Sequence, residues 1–462
     1  MIVLDVRQQR ALDMMMSGVN VYLTGYAGTG KTVLLREYID RVKADGKSVL
    51  VCATTGMAAD NLGYGASTIH RTLGISTHIE DYVKRVKYRN KLLRSADVLV
   101  IDEISMCRSD LFSAIGKMIE YENNRRIDER VIGETDREDL QIIVCGDFSQ
   151  LPPVITAADR EVLISLYGNS YEEGGNNEYG YAYNSEYWKH MEFHGVCLTH
   201  VYRQQDSSYL YVLQDIRSGN NIRKAIDYLE ENAADRIILD APFLVPRNAE
   251  ADRINSNYLS RLNKATEVMF RAEITGKLAL ADIKNINYAP EELIVNIGAQ
   301  VMITVNDPDS RYVNGTIGKI VDIVESDIAD DEYILVGTAK EKTVRVYRYT
   351  REIERQEIET IEKEADGEIV TESKIVRKVI GTYSQFPLKL AWAISIHKSQ
   401  GQTFEKINID PRCWEIGQFY TAVSRAKSAD GIHFLRQLMS YYIKVYPTVE
   451  AEKLKDSLVE LL

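Results

Sequence analysis

The segment "NVYLTGYAGTGKTVLLREYIDRV" (20–42) confines this chain more tightly than any other. An apolar run ends in a glycine-rich turn and passes at once into a helical pattern, which is a βα unit that needs parallel neighbours. Three more apolar runs, "SVLVCAT", "ADVLVIDE" and "LQIIVCGD", follow with helical patterns between them. They are apolar on both faces, as expected of a parallel sheet wrapped by helices. Each ends in a polar signature, "GYAGTGKT", "ATTG", "DEIS" or "GDFSQ", at the strand ends where open α/β sheets place their ligands.

"GYAGTGKT" (25–32) meets every position of the G-x-x-x-x-G-K-[ST] pattern. Backbone N–H groups of Gly25, Gly28, Thr29 and Gly30 are expected to close on phosphate oxygens, Lys31 to reach the β and γ phosphates, and the Thr32 hydroxyl to ligate Mg²⁺. In "VLVIDEIS" the aspartate at the end of an apolar strand, Asp102, is suited to hold the metal. Glu103 is suited to polarise the attacking water. Gln150 in "GDFSQLPPV" then stands at a neighbouring strand tip, able to hydrogen-bond the γ-phosphate or the water, before Pro152 and Pro153 stop the strand.

Between Ser165 and Glu186 the composition turns to Gly, Asn, Tyr and Glu, which reads as an irregular surface insertion closing the first domain. A second α/β pattern begins with "VCLTHVYRQ" and is completed much later by "LKLAWAISIHKSQG". The stretch between holds short β-branched runs, and Asp366-Gly367 between alternating charged flanks reads as a tight, solvent-projecting hairpin, with a charged helix before it as the alternative. The expected boundaries are 1–185 for a first α/β domain with a small insertion around 64–95, 186–292 plus 386–462 for a second, and 293–385 for an inserted β domain. The chain has 462 residues, 45% apolar, and a net charge of −12, which argues against a basic exterior that coats nucleic acid but leaves room for a basic channel. The basic run 82–94 reads as a solvated helix face. Five scattered cysteines read as reduced core thiols, and no apolar run approaches the length of a membrane span, so a cytoplasmic protein is expected.

The ordered set "GYAGTGKT", "ATTGMAA", "GASTIHR", "DEISM", "GDFSQLPPV", "YRQ", "HKSQGQTF" and "YTAVSRAKS" resembles superfamily 1B helicases of the Pif1 and RecD-like branch, and it spans nearly the whole chain. The stretch "LFSAIGKMIEY" is similar to a short Pif1 signature. The resemblance implies two RecA-like domains with an inserted SH3-like barrel, ATP with Mg²⁺, and 5′ to 3′ movement on single-stranded DNA that opens tailed duplex DNA. It implies an adenine-reading role for Gln8, with neighbouring Gln9 as the other register. Arg203 and Arg425 resemble the pair that reaches the γ-phosphate. Thr54, Thr55, His70, His397, Lys398 and Ser399 resemble strand-binding positions, although capping a helix is an equal use for Thr55. An RNA-directed motor and a nucleotide-switched loading ATPase stay open as alternatives.

Overall fold

The computed structural model describes residues 4–76, 89–133, 135–175, 177–204, 206–278, 283, 286, 288–305, 307, 309, 311–312, 314–325, 332–338, 343–365, 368–458 and 460–461. The chain folds as two compact units. The first comprises Met1–Tyr202, Glu354–Lys378 and Pro447–Leu462, and the second Arg203–Ile353 and Val379–Tyr446.

The first unit is built on strands β1 (Val21–Gly25), β2 (Val49–Ala53), β3 (Ser67–Thr68), β4 (Val98–Asp102), β5 (Gln141–Cys145) and β6 (His194–Leu198). With a short strand from the C-terminal segment, Glu460–Leu461, they form a seven-stranded sheet. Its spatial order is Glu460–Leu461, β6, β1, β5, β4, β2, β3, and every pairing is parallel. β1, β2, β4 and β5 are buried along their whole length, as their unbroken apolar runs require. Helix α1 (Val6–Met16) packs Ala11, Leu12 and Met15 into the same core as Leu34, Leu35, Tyr38, Ile39 and Val42 of α2 (Lys31–Ala44). α3 (Gly56–Leu62), α4 (Ile69–Leu73), α5 (Lys91–Ser95) and the long α6 (Ser109–Val131) complete this region. Residues 77–88, which carry the middle of the expected insertion and the first half of the basic run, lie outside the described residues.

Two sequence expectations are corrected here. "VCLTH" does not open the second unit: β6 pairs with β1 from Val21↔His194 to Gly25↔Leu198. Residues 447–462 also return to the first unit, where Tyr183 donates a 2.9 Å hydrogen bond to Glu450. Strand pairing is set by tertiary partners that local pattern does not reveal. The irregular stretch 165–186 is largely exposed up to Tyr179, as expected of a surface insertion, but its end is part of the core. Tyr171, Tyr181 and Tyr183 are buried, and Phe148, Tyr181, Tyr183 and Trp188 pack ring to ring beneath the "GDFSQ" turn.

The second unit holds a parallel sheet of β7 (Phe243–Val245), β18 (Ala393–Ser395), β19 (Ile407–Ile409) and β20 (Ile432–Phe434), ordered β18, β7, β19, β20. Between β7 and β18 the chain builds an antiparallel region. β8 (Glu267–Arg271) pairs β10 (Glu292–Asn296). β11 (Gln300–Ile303), β12 (Thr316–Val324), β13 (Tyr333–Thr338), β14 (Thr343–Tyr347) and β17 (Leu388–Leu390) form a five-stranded sheet. Val301, Ile303, Ile320, Ile334, Val336, Val346, Phe386 and Leu388 fill its core. β9 (Glu273–Gly276) pairs one arm of a long ribbon, β15 (Tyr349–Ala365) and β16 (Glu368–Gln385), so both charged flanks are strands and the helical alternative falls. The Asp366-Gly367 turn lies outside the described residues. The ribbon is not wholly solvent-projecting, because the Ile375 amide donates to Ser48 Oγ (3.4 Å) and Arg377 stands over the Tyr64 ring.

The signature helix α6 carries one close contact. A Cβ on Gly116 would overlap the Cβ and ring of Tyr187. Gly→Ala in a helix ordinarily gains about 1 kcal/mol, but forced overlap in a packed site costs typically about 1–3 kcal/mol. Gly116→Ala is therefore expected to lower stability despite its better propensity, measured as a lower urea midpoint; an unchanged or raised midpoint refutes the packing argument.

Candidate functional site

Because every strand of the first sheet points the same way, their carboxyl ends share one edge. Strand order then fixes the row of motifs along it: the 199–202 turn after β6, the glycine-rich loop after β1, Asp147–Gln150 after β5, Asp102–Glu103 at β4, Thr54–Thr55 after β2 and His70 after β3.

Gly28 and Gly30 both have φ of 82°, and Gly30 caps the 14-residue α2 with no side-chain hydrogen bond, leaving the helix N–H groups to the loop. Lys31 Nζ donates to the carbonyls of Gly25 (2.9 Å) and Tyr26 (3.1 Å), while Thr29 Oγ1 donates to Tyr26 O (2.9 Å). Gln8 lies against this loop and Gln9 does not. Gln8 Nε2 donates to Thr29 O (3.3 Å), whereas Gln9 Nε2 donates to Asp13 on the surface of α1. A Cβ at Gly30 would come within 2.9 Å of Gln8 Nε2, so glycine is needed for that approach.

Two residues missed by the sequence reading complete the wall. Tyr202 donates its amide to Gly28 O (3.0 Å) and its hydroxyl to Asp5 Oδ2 (2.8 Å) and Gln8 Oε1 (3.3 Å), leaving the ring half exposed. Asp5 caps α1 in a reciprocal box with Gln8, which fixes the Gln8 side chain. The D-x-x-Q spacing and the tyrosine preceding Arg203 were the available signals.

Asp102 is buried, and burial pushes its carboxyl upward, opposed by the Glu103 N–H at 2.9 Å and, more weakly, by Cys145 and the Lys31 charge. Glu103 adopts φ 53°, ψ 44°, a left-handed conformation unusual for a side chain of this size. The turn is held by Thr54, whose hydroxyl donates to Glu103 O (2.9 Å) and whose amide donates to Asp102 O (3.2 Å). On the next strand Gly146 lets the chain pass the "DEIS" turn, since a Cβ would lie 2.9 Å from Ile104 N. Buried Asp147 folds the following turn, accepting from Ser149 N (3.1 Å) and from Gln150 Nε2 (3.3 Å). Thr55 caps α3, accepting from Ala58 N at 3.1 Å.

The residues fit a nucleotide with a divalent cation. An open helix N-terminus faces a lysine that is held only by carbonyls, and beside it sits a desolvated carboxylate. No group of three or more His, Cys, Asp or Glu among the described residues could hold a metal ion. A cation here would draw its remaining ligands from phosphate and water, the ordinary habit of Mg²⁺.

The second unit gathers both arginines around one residue. Arg203 donates to Ser424 O (3.1 Å), and Arg425, buried, donates to Ser424 Oγ (2.8 Å) and Thr421 O (2.9 Å). Gln204 of "YRQ" locks the same turn through Ser424 O (3.0 Å) and Ala426 O (2.9 Å). At the end of β18, His397 pairs with Glu415 (3.2 Å) and Lys398 is exposed, but Ser399 is fully buried with its hydroxyl donated to Ile396 O (2.8 Å).

His70 is half-buried in α4, and burial followed by the Arg108 charge lowers its pKa from 6.5, partly countered by Asp110. The folded chain therefore binds this proton less readily than the unfolded one, so stability is full above 6.5 and is lost as pH falls from there toward the folded value. His70→Asn should flatten that slope: between pH 7 and pH 5 its Tm should fall less than that of the wild type, and equal falls would contradict the burial account.

A glycine-rich phosphate loop, a strand-end Asp-Glu pair and two parallel α/β sheets define a P-loop motor enzyme. Residues 4–224 match the PIF1-like helicase family. Over 441 residues the chain is 32% identical to the ATP-dependent DNA helicase Pif1 of Bdellovibrio bacteriovorus, covering 94% of this chain and 88% of that protein. The crystal structure of Bacteroides sp Pif1 in complex with ADP-AlF4 aligns over 99% of this chain and 98% of that one, at TM-score 0.76 and 28% identity. Bacteroides Pif1 bound to ssDNA aligns over 99% and 97% of the two chains, at TM-score 0.59 and 28% identity. The chain belongs to the Pif1-like helicase family and is an ATP-dependent DNA helicase with two RecA-like sheets and an antiparallel β region.

Proposed function

We propose that this helicase moves 5′ to 3′ along single-stranded DNA, hydrolysing ATP with Mg²⁺, and opens duplexes that carry a 5′ tail. The observation that carries the reading is the Thr54 bridge, which ties the hydrolytic tip of β4 to the first strand-binding tip at β2. The ssDNA-bound Bacteroides relative supports the choice of ligand.

In this mechanism the loop amides and Lys31 bind the phosphates, and Gln8 reads the base beside Tyr202. Thr32 and Asp102 would hold Mg²⁺, which would supply positive charge against the phosphates. Glu103 takes the proton of the attacking water. Arg203 and Arg425 exchange their Ser424 and Thr421 contacts for γ-phosphate oxygens, because a guanidinium fork gains more from a phosphate anion than from neutral carbonyls. Thr54, Thr55, His70, His397 and Lys398 grip strand phosphates, so binding is largely independent of sequence. Thr55 also caps α3, and Ser399 serves the path by holding its turn through Ile396.

Strand displacement on 5′-tailed DNA, compared with 3′-tailed DNA and a tailed RNA duplex, tests the reading. Displacement restricted to 3′ tails, or ATP hydrolysis without displacement, would overturn it. Glu103→Gln should keep nucleotide and strand binding but lower turnover by roughly 10²–10⁴, whereas Lys31→Ala should weaken nucleotide binding too. Wild-type turnover in Glu103→Gln would remove Glu103 as the base.

Gln150 and Arg425 separate by a different readout, the ATP consumed per base pair opened. Arg425→Ala should bind ADP normally and lose DNA-stimulated hydrolysis by about 10³ or more. Gln150→Ala should retain part of its hydrolysis and consume more ATP per base pair. Equal losses of hydrolysis and unwinding would make Gln150 a plain catalytic residue.

A further inference from the structure

The carboxyl edge of the second sheet carries a feature that phosphate gripping does not use. β18, β7 and β19 are neighbours in that order, so the His397–Ser399 turn, Arg247 and Trp414 follow one another along the edge. Trp414 is 46% exposed, while Trp188 and Trp392 are 0% and 7% exposed. An exposed indole at such an edge offers a flat face on which another ring can stack.

The backbone that carries the ring is fixed. Trp414 N donates to Gln418 Oε1 (3.1 Å), and Gln418, fully buried, donates through Nε2 to Pro246 O (3.1 Å), the residue before Arg247. The Arg247 guanidinium stands over the indole, 5.8 Å from its centroid. Next in the chain, Glu415 pairs with His397 of the phosphate-gripping turn. Among the described residues, Asp410 and Glu250 share Arg412, and Glu415 Oε2 lies 3.2 Å from His397 Nε2, so these carboxylates are turned toward basic groups of the same edge.

We propose that Trp414, backed by Arg247, is a stacking platform for one base of the strand whose phosphates lie on His397 and Lys398; the proposal rests on that strand-path reading. An indole offers a flat face to any base, and a guanidinium beside it adds a cation for the adjoining phosphate, which gives affinity without sequence preference. The platform also leads directly into the segment Gln418–Val423, whose continuation carries Ser424 and Arg425. A base seated there is therefore held by the same stretch that presents the candidate γ-phosphate arginine.

Tryptophan emission tests this in the intact protein, because Trp414 is the exposed member of the three. Titrating with oligo-dT should change wild-type emission and protect it from acrylamide, whereas an abasic strand of equal length should bind without either effect. In Trp414→Phe the strand should leave emission unchanged. Trp414→Ala should bind oligo-dT roughly fivefold to a hundredfold more weakly, the range for loss of one base–aromatic stack. It should bind the abasic strand as the wild type does. Unchanged wild-type emission while labelled oligo-dT is bound would overturn the platform and leave the strand path standing. If Lys398→Ala binds both strands as tightly as the wild type, the strand path itself fails, and the platform with it.

Discussion

Parallel pairing of β1 with β5 and of β5 with β4 is the constraint on which the site depends. An antiparallel neighbour would send its motif to the opposite edge, and phosphate loop, glutamine and acidic pair would never meet. Because all three strands are buried on both faces, only backbone hydrogen bonds and a continuous apolar layer hold them in register. A slip of one residue would turn every side chain to the other face, so Asp102 could not keep its place beside Lys31.

The same edge explains why polar groups can sit so deep. Asp102 and Asp147 are nearly inaccessible, yet each accepts a hydrogen bond from its own turn, from Glu103 N and from Ser149 N respectively. A carboxylate kept from water is tolerated when donors of its own turn hold it, because each hydrogen bond offsets part of the cost of desolvation. The left-handed Glu103 belongs to the same economy of space: it turns the chain sharply enough to leave both acids at the tip.

What the sequence made legible was chemistry with strict residue requirements. A phosphate loop tolerates few substitutes for Gly, Lys and Thr, so residues 25–32 could be read at sight, and the strand-end Asp102–Glu103 pair followed. Register within a helix was less legible: Gln8 and Gln9 differ only in the face of α1 they occupy, and the Asp5 cap decides between them. Pairing was least legible. "HGVCL" has a good strand pattern, but nothing local says that it lies beside β1, 173 residues earlier in the chain (Val21↔His194, 194 − 21 = 173). Tyr171, Tyr181 and Tyr183 misled for another reason, because their polar neighbours masked rings that pack inward. Ser399 shows that a motif serine can be buried to hold its turn rather than face a ligand.

The C-terminal strand Glu460–Leu461 lies against β6, so the first sheet takes its outermost member from the far end of the chain. During synthesis on the ribosome, β1 to β6 emerge long before that strand does, with the whole second unit still to come. Until then β6 is an uncovered edge, and Tyr183 lacks the Glu450 carboxylate that receives its hydroxyl. Unpaired strand edges invite association with other chains. The order of translation thus sets an interval in which the nucleotide-binding half can assemble its core but cannot close its border.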